Sequence, residues 1–364
     1  MPRFCFVVKY IVNLYMDLIN ELKEALAYFG IWEEMFYGIV REYEKKHRFY
    51  HTWGHHIKPM SKEIVDLHLY GKITKQEKYI LLATALYHDI VYEPLNPKNK
   101  EESADRFFKD ASENHTDGKL ATSKERLAVF NIIVGSKHHK PYDHLSTIFY
   151  DIDLAGLRTG DLSRMIEDGI RVMKEYQVFD YGLYKVGRDK IIATFKDKFP
   201  ENANNIDAYL QWLKYYKPKV GLYAGSFNPF HIGHMDILKR AELTYDKVIV
   251  AIGDNPDKNM STEEQLSNLK KVIPYHQVES FKGYLTDYVK KLEESGVEVT
   301  IVKGLRGGED LNYETAQLRY MEDYTGTKVK MHYIVGDAKL SHISSSAIKK
   351  IASINPEHAK QYLP

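Results

Sequence analysis

The stretch Gly225-Ser226-Phe227-Asn228-Pro229-Phe230-His231-Ile232-Gly233-His234 decides the fold of the C-terminal half. It follows a short apolar run, residues 220–224, and opens a stretch with helical periodicity. In open α/β sheets, ligands bind where a strand ends and a helix begins. Gly225 lets the backbone approach a polyphosphate, Ser226 adds a hydroxyl donor, and the two histidines can point the same way. This stretch therefore predicts a phosphate-binding site between a strand and a helix.

The residues around this stretch alternate between two patterns. Short β-branched runs typical of buried strands occur at residues 220–224, 247–252, 297–302 and 329–335. Stretches with helical periodicity lie between them, at residues 232–243, 263–272, 284–294 and 310–324. Such alternation indicates a parallel sheet with helices on both faces. We predict that residues 218–364 form one α/β domain.

The sequence before Tyr215-Tyr216-Lys217-Pro218 has a different character. Apolar residues recur at three- and four-residue steps from about Met16 to Leu213, and turn signals separate blocks of helical length. Long runs that alternate apolar and polar residues are absent from this part of the sequence. Residues 1–215 are therefore predicted to form an all-α domain.

Composition limits the classes of protein that this chain can belong to. Its 364 residues carry 51 Lys and Arg against 50 Asp and Glu, a net charge of +1, which argues against nucleic acid as a partner. The single cysteine, Cys5, suits a reducing compartment, and we expect a cytoplasmic protein. The apolar residues before Met16 are too short for a membrane span. We expect these residues either to form an N-terminal helix or to be an extension upstream of the true start at Met16. We expect no membrane partner.

Two further stretches carry a resemblance to a known family. Residues 303–314, Lys-Gly-Leu-Arg-Gly-Gly-Glu-Asp-Leu-Asn-Tyr-Glu, and residues 343–349, Ile-Ser-Ser-Ser-Ala-Ile-Lys, join the His-x-Gly-His segment. Together they resemble the nucleotidylyltransferase superfamily, and most closely the bacterial phosphopantetheine adenylyltransferases, over about residues 219–364. The resemblance implies a Rossmann-like parallel sheet, ATP with Mg²⁺ as the cofactor, and a homo-oligomer formed through this domain. It also implies transfer of AMP from ATP to a phosphomonoester, with 4′-phosphopantetheine as the best candidate acceptor.

The resemblance assigns roles to residues of this chain. His234 and Ser226 would stabilise the α-phosphate of ATP, Lys258 would hold the acceptor phosphate and the transferred group, and Arg306 would bind the ATP phosphates. These four are the expected catalytic residues. The remaining predicted members of the nucleotide and acceptor pocket are Gly225, Phe227, His231, Gly233, Lys303, Gly304, Glu314, Ser344, Ser345 and Ser346.

Three departures from the family pattern leave a second phosphomonoester possible as the acceptor of AMP. Asn228 stands where the family has Asp, Lys303 stands where it has Arg, and His231 is a position at which many members carry another residue. The segment is also close to that of the nicotinate and nicotinamide mononucleotide adenylyltransferases. Both groups transfer AMP to a phosphomonoester, so the reaction type follows more directly than the acceptor.

The helical half contains its own set of polar motifs. His88-Asp89 ends an apolar helix-length run, His51 and His55 stand four residues apart, and Asp151 and Asp153 come later. Imidazole and carboxylate without cysteine suit a divalent ion such as Mn²⁺, Fe²⁺, Ni²⁺ or Mg²⁺ rather than a structural zinc.

This order of motifs, with residues 99–104, resembles the HD-domain metal-dependent phosphohydrolases over about residues 35–215. The resemblance implies His55, His88, Asp89 and Asp153 as metal ligands. Asp151 is the alternative to Asp153, and His51 and His138 would serve in the outer shell or at a second ion. It implies hydrolysis of a phosphate ester, with a nucleotide as the expected substrate. The other reading of this half is a regulatory or scaffold module that binds without hydrolysing.

Overall fold

The computed structural model describes residues 16–112, 121–254 and 261–364. The predicted site residue Lys258 and the first fifteen residues lie outside these ranges. The chain divides into two compact units. The first comprises Met1–Val172 and Phe199–Asn205, and the second comprises Met173–Lys198 and Ile206–Pro364. In the described ranges, no helix has the length and apolar character that crossing a membrane requires.

The first unit is helical, as the sequence predicts. Residues 16–28 form α1. The helices that follow are α2 (Glu33–Tyr43), α3 (Lys58–Leu69), α4 (Lys75–Tyr87), α5 (Asn99–Ser112), α6 (Ser123–Gly135), α7 (His144–Asp153), α8 (Ala155–Arg158) and α9 (Leu162–Glu175), the last of which continues into the second unit.

Helix α4 is the centre of this unit. Thr74 begins it by accepting a hydrogen bond from the Glu77 amide, and the Glu77 side chain accepts one from the Thr74 amide. Every residue from Lys78 to Tyr87 is buried, because the run Ile-Leu-Leu-Ala-Thr-Ala-Leu-Tyr is apolar on all faces. The helix therefore delivers His88 and Asp89, which follow it directly, to the interior.

The second unit contains a five-stranded parallel sheet with the order β3-β2-β1-β4-β5. Its strands are β1 (Lys219–Gly225), β2 (Lys247–Gly253), β3 (Gln277–Phe281), β4 (Glu298–Leu305) and β5 (Met331–Val335). Its helices are α10 (Tyr181–Ala193), α11 (Ala203–Tyr215, whose first residues belong to the first unit), α12 (Ile232–Thr244), α13 (Thr262–Val272), α14 (Leu285–Glu294), α15 (Gly308–Thr325), α16 (Ser345–Ile354) and α17 (Pro356–Lys360).

The parallel α/β fold predicted for the C-terminal half is confirmed, and the sequence missed one strand. The edge strand β3 has the polar sequence Gln-Val-Glu-Ser-Phe, and the first two of its five residues are buried while the others are half-buried or exposed. It lacks the continuous apolar run that identifies the buried strands beside it. The central strand β1 pairs with β2 on one side and with β4 on the other. Its C-terminal end therefore opens at the middle of the sheet, where α/β folds bind ligands.

The chain segment before the sheet also contributes to the second unit. The buried Lys247 ammonium, at the start of β2, donates hydrogen bonds to the carbonyls of Gln177 and Phe179. The Tyr216 hydroxyl donates to Asp246, which precedes β2. Residues 173–198 and 206–215 thus group with the sheet, although they precede the domain boundary that the sequence predicts at 215–218. The assignment of activities to residues 1–215 and 218–364 stays a prediction.

Candidate functional site

The turn after β1 is shaped by close packing of its own aromatic side chains. A Cβ on Gly225 would lie 2.9 Å from the Phe227 ring, so glycine is the residue that fits. Phe227 adopts the left-handed backbone region, with φ 45°, a conformation that costs free energy and is typical of functional turns. Its ring meets that of His234 edge-on, with 5.1 Å between the ring centroids. The strand therefore ends in a tight turn that presents the start of α12.

His231 and His234 cap the start of α12 for each other. The His231 Nδ1 accepts a hydrogen bond from the His234 amide, and the His234 Nδ1 accepts one from the His231 amide, each at 3.3 Å. The rings stack with centroids 3.6 Å apart. A neutral imidazole that accepts through Nδ1 carries its proton on Nε2. The reciprocal caps therefore make both Nε2 atoms hydrogen-bond donors.

Electrostatics keep these two imidazoles neutral. Burial, with a further contribution from the Arg306 guanidinium, lowers the pKa of His231 to about 4. Burial, His231 and Arg306 lower the pKa of His234 to about 3. Neutral donors at a helix N-terminus suit an anion, because the helix amides and dipole already supply positive potential there.

The other side of the site comes from the end of β4 and the start of α15. Asp310 accepts hydrogen bonds from the Arg306 backbone amide and from its guanidinium Nε and Nη2, at 2.8 to 3.0 Å. The Lys303 ammonium lies 3.2 Å from a Glu314 carboxylate oxygen. Gly304 leaves room for Ile237, whose side chain would lie 2.7 Å from a Cβ there. Two cations are thus held in place by carboxylates one and two turns along α15.

A third wall comes from the segment after β5. The Asp337 amide donates to Asp236 on α12 at 2.9 Å, and the Ser345 hydroxyl donates to the Pro229 carbonyl at 3.0 Å. The Ser344 side chain caps α16 by accepting from the Ala347 amide. These contacts close a cavity of about 480 Å³, whose walls include Gly225, Ser226, Phe227, His231, Gly233, His234, Lys303, Gly304, Arg306, Glu314, Ser344 and Ser345.

The structure therefore brings twelve of the fourteen residues predicted for this site to one cavity. Ser346, the second residue of α16, is exposed and is not among the lining residues. Lys258 lies outside the described residues. Sequence reasoning missed Asp236, Asp310 and Tyr313, which also line the cavity. Asp310 could have been found, since it stands four residues after Arg306 at a helix start, where a carboxylate and a guanidinium can pair.

A second cluster of polar side chains lies in the helical unit. The Nε2 atoms of His56 and His88 are 3.2 Å apart, and the His56 Nε2 is 3.2 Å from an Asp153 oxygen. The His88 Nε2 is 3.1 Å from Asp89 Oδ2 and 3.5 Å from Asp153 Oδ1. The His51 Nε2 lies 3.8 Å from the same Asp89 oxygen. We call these five residues the His/Asp cluster.

Three separate segments build the His/Asp cluster. His88 and Asp89 follow the buried helix α4, and Asp153 is the last residue of α7. His56 lies in a π-helical turn, Trp53–Ile57, which begins with a hydrogen bond from the His55 amide to the Thr52 hydroxyl. The His88 Nδ1 lies 3.0 Å from the Ala85 carbonyl and donates to it, which leaves Nε2 to face the cluster.

The structure differs from the predicted ligand set at one position. It brings His88, Asp89 and Asp153 together, but His55 is hydrogen-bonded instead to Asp168, at 2.8 Å. His56 takes the predicted place of His55, because the π-helical turn directs the two neighbouring side chains differently. His51 belongs to the cluster, Asp151 does not, and the residue that contacts Asp153 at 3.0 Å is His139 rather than His138.

Charge within the His/Asp cluster favours a cation at its centre. Burial lowers the pKa of His56 to about 4, so this imidazole is neutral. Burial also lowers the pKa of His88, but the Asp89 and Asp153 carboxylates outweigh it and raise the pKa to about 9. Burial alone would raise the pKa of Asp153, but His88, together with His139 and His56, outweighs it and holds this pKa well below its usual range.

The donor set fits a divalent metal ion in both chemistry and spacing. Two groups of three, His51/His56/Asp89 and His56/His88/Asp153, each offer ligand atoms within 4.8 Å of one another. Neighbouring ligand atoms around an ion bound at about 2.1 Å lie about 3.0 to 3.4 Å apart. The separations of 3.1 to 3.5 Å among His56, His88, Asp89 and Asp153 match that spacing.

Comparison with known proteins identifies relatives of the C-terminal half. The profile of the cytidylyltransferase-like family matches residues 222–351. A phosphopantetheine adenylyltransferase of Clostridium perfringens is 42% identical over 151 residues, which is 40% of this chain and 88% of that protein. That of Clostridium novyi is 38% identical over 138 residues, covering 36% and 83%. That of Alkaliphilus metalliredigens is 36% identical over 151 residues, covering 40% and 92%.

Proposed function

We propose that this chain, which belongs to the cytidylyltransferase-like family and is an adenylyltransferase close to the phosphopantetheine enzymes, transfers AMP from ATP to 4′-phosphopantetheine. The products would be dephospho-CoA and pyrophosphate. The observation that carries the proposal is the pair of neutral histidines at the start of α12, facing the same cavity as Arg306. That arrangement supplies hydrogen-bond donors and one fixed cation for a polyphosphate.

The residues divide the work of the transfer between them. A phosphate oxygen of the acceptor attacks the α-phosphorus of ATP, and the bond from that phosphorus to the leaving pyrophosphate breaks. The Nε2 donors of His231 and His234 with the Ser226 hydroxyl would stabilise charge on the α-phosphate, and Arg306 would take the leaving phosphates. Lys303, held by Glu314, would bind the acceptor phosphate. ATP would bring Mg²⁺, which supplies charge neutralisation for the leaving group.

The second acceptor, nicotinate or nicotinamide mononucleotide, is favoured by His231 and Asn228 in the turn. The block from Lys303 to Arg306 and the relatives of the C-terminal half favour phosphopantetheine. Incubating the full chain with ATP and each acceptor, followed by pyrophosphate release and mass analysis of the product, tests the choice. We expect kcat/KM to be highest for phosphopantetheine. A higher value for a mononucleotide would contradict this assignment and leave the reaction type standing.

A second proposed activity belongs to the helical unit. We propose that the His/Asp cluster holds one divalent ion, Mn²⁺, Fe²⁺, Ni²⁺ or Mg²⁺, and hydrolyses a phosphate ester, with nucleotides as the first substrates to test. His56, His88, Asp89 and Asp153 would hold the ion, and their spacing is the observation that supports it. The ion would acidify a water and polarise a phosphoryl oxygen.

Metal analysis separates this activity from a regulatory or scaffold role. We expect about one divalent ion per chain in the purified protein and metal-dependent phosphate release from one member of a nucleotide panel. An Asp89→Ala protein should lose both while adenylyl transfer continues. Stoichiometric metal without hydrolysis of any panel member would favour the regulatory reading. Equal metal in both proteins would rule out the site.

Two features support proposals about assembly and compartment. Leu311 and Tyr320 on α15 and Val335 on the edge strand β5 are exposed apolar side chains of the second unit. A homo-oligomer formed through this unit would cover them, and light scattering on the purified chain tests it. The single cysteine and the ATP substrate support the cytoplasm as its compartment.

A further inference from the structure

Lys100, on α5, is the lysine that meets the His/Asp cluster. Its ammonium lies 2.8 Å from Asp89 Oδ1, while the other oxygen of that carboxylate faces His88 and His51. We propose that Lys100 is the anion-binding residue of the His/Asp cluster and that its ligand is a phosphoryl group held beside the metal ion. This inference rests on the metal site proposed above and names the part of the substrate that the site recognises.

The ammonium of Lys100 has capacity left for a ligand. It carries three N–H donors, and Asp89 Oδ1 lies in the direction of one of them. The Lys100 side chain is 17% exposed, whereas that of Asp89 is 4% exposed. Lys100 therefore spans the distance from the buried carboxylate to solvent, as a residue that meets an incoming ligand must.

The other cation near Asp89 is Arg48, which bonds the backbone rather than the carboxylate. Arg48 is buried, and its guanidinium donates to the carbonyls of His51, Asp89 and Ile90 at 2.7 to 3.3 Å. Those bonds hold the backbone on both sides of the cluster. Lys137, farther along, pairs with Glu101 and with the Pro97 carbonyl. Among the described residues of this region, Lys100 is thus the cation placed to receive an anion at the cluster.

Charge balance indicates the class of ligand. A divalent ion would balance the two carboxylates of Asp89 and Asp153, so the ammonium of Lys100 adds a positive charge beside the ion. Such a site attracts an anion rather than a neutral or cationic ligand. A phosphoryl group can place one oxygen on the ion and another on the ammonium, which a carboxamide or an alcohol cannot do.

The test uses the full chain loaded with Mn²⁺ and inorganic phosphate as the probe. Paramagnetic broadening of the ³¹P signal by bound Mn²⁺ reports only phosphate that lies beside the ion. We compare wild type with Lys100→Ala, Lys100→Arg and Lys98→Ala. Lys98 is an exposed lysine two residues away and serves as the matched control. Asp89→Ala gives the background without the ion.

We expect Lys100→Ala to retain Mn²⁺ at saturation and to bind phosphate about 10- to 100-fold more weakly, as for loss of one charge-assisted hydrogen bond. Lys100→Arg should stay within about 3-fold of wild type, because it keeps the charge. Lys98→Ala should match wild type. Unchanged phosphate affinity in Lys100→Ala would overturn the inference while the metal proposal stands. Loss of Mn²⁺ from Lys100→Ala alone would assign Lys100 to holding Asp89 and also overturn it. A wild type without Mn²⁺ would instead overturn the metal site.

Discussion

At the residue scale, the histidine pair at the start of α12 couples orientation to protonation. Each ring accepts a backbone hydrogen bond through Nδ1, so neither can rotate without releasing a cap. Both pKa values lie far below neutrality, which keeps the Nδ1 lone pairs available for those caps. The pair therefore holds two Nε2 donors in fixed directions before any substrate binds, which is the preorganisation that transition-state stabilisation needs.

Substitutions of His234 distinguish the acceptor role of its Nδ1 from the donor role of its Nε2. His234→Ala should lower kcat of adenylyl transfer about 10²- to 10³-fold with little change in KM for ATP, as for loss of one oxyanion donor. His234→Asn keeps an acceptor near the Nδ1 position and should be equally slow, whereas His234→Gln places a donor near Nε2 and should recover part of the rate. Steady-state kinetics measure this. Leu243→Ala, at an exposed position of the same helix, is the control. Near-normal turnover in His234→Asn would show that the cap, and not the donor, matters.

The neighbouring residues His55 and His56 should differ sharply in metal binding. His56→Ala should remove the divalent ion from the purified chain, because His56 lies 3.2 Å from both His88 and Asp153. His55→Ala should keep the ion, because His55 contacts Asp168 instead. Metal content by mass spectrometry decides between them. Retained metal in His56→Ala with loss in His55→Ala would restore the ligand set expected from the sequence.

Sequence and structure differ in the choice between these neighbours, and helix geometry explains the difference. A spacing of four residues puts His51 and His55 on one face of an α-helix, which is the ordinary expectation. His51 precedes the helical residues, and residues 53–57 form a π-helical turn, which is wider than an α-helix and directs His56 rather than His55 to the cluster. No composition or periodicity signal in the run Thr-Trp-Gly-His-His marks such a turn.

At the element scale, strand β2 begins on a buried ammonium. Burial lowers the pKa of Lys247 to about 7, although Asp180 and Glu279 oppose the change. The unfolded chain, with a pKa near 10.5, therefore binds more protons than the folded chain between pH 7 and pH 10. The free energy of unfolding should therefore rise with pH over that window and decrease as the pH falls toward 7.

Replacing Lys247 should remove this pH dependence. We expect the unfolding free energy of wild type, relative to Lys247→Met, to increase by about 1 to 2 kcal/mol between pH 7 and pH 9. Urea unfolding at several pH values measures it. Lys219→Met, at the exposed start of the neighbouring strand β1, should track wild type across the same range. Parallel pH profiles for wild type and Lys247→Met would show that Lys247 titrates alike in both states.

The three central strands were predicted from their apolar runs, and so was the edge strand β5, whereas the edge strand β3 was not. The central strands β1, β2 and β4 are rich in Val, Ile, Leu and Ala, as expected of strands buried on both faces. Strand β3 pairs with a single neighbour, β2, and lies at the edge of the sheet. Only two of the five residues of β3 are buried, so it carries little apolar signal in the sequence.

At the scale of the whole molecule, two fragments test where the second unit begins. Residues 173–364 keep the carbonyls of Gln177 and Phe179 for Lys247 and the Tyr216 hydroxyl for Asp246, and residues 218–364 lose them. We expect residues 218–364 to be less stable by about 1 to 3 kcal/mol, since buried polar groups lose their partners. Thermal unfolding measures the difference.

Adenylyl transfer per folded molecule should be the same in both fragments, because the described cavity residues lie between Tyr223 and Ser345. Residues 1–215 should still bind the divalent ion, since His56, His88, Asp89 and Asp153 all precede the cut. Equal melting temperatures for the two C-terminal fragments would place the true boundary at 215–218, where the sequence alone put it.

The strand order also has a consequence for how the chain is made. The ribosome releases β1 first, then β2 and β3, which add to one side of it, and then β4 and β5, which add to the other. Each new strand finds an exposed edge of the sheet already present, so no strand has to insert between two paired ones. Residues 173–198 leave the ribosome before any strand does, and Gln177 must wait for Lys247. The carbonyls of Gln177 and Phe179 therefore wait for the Lys247 ammonium until the second strand emerges, whereas Tyr181 meets the Tyr216 carbonyl before the first strand is made.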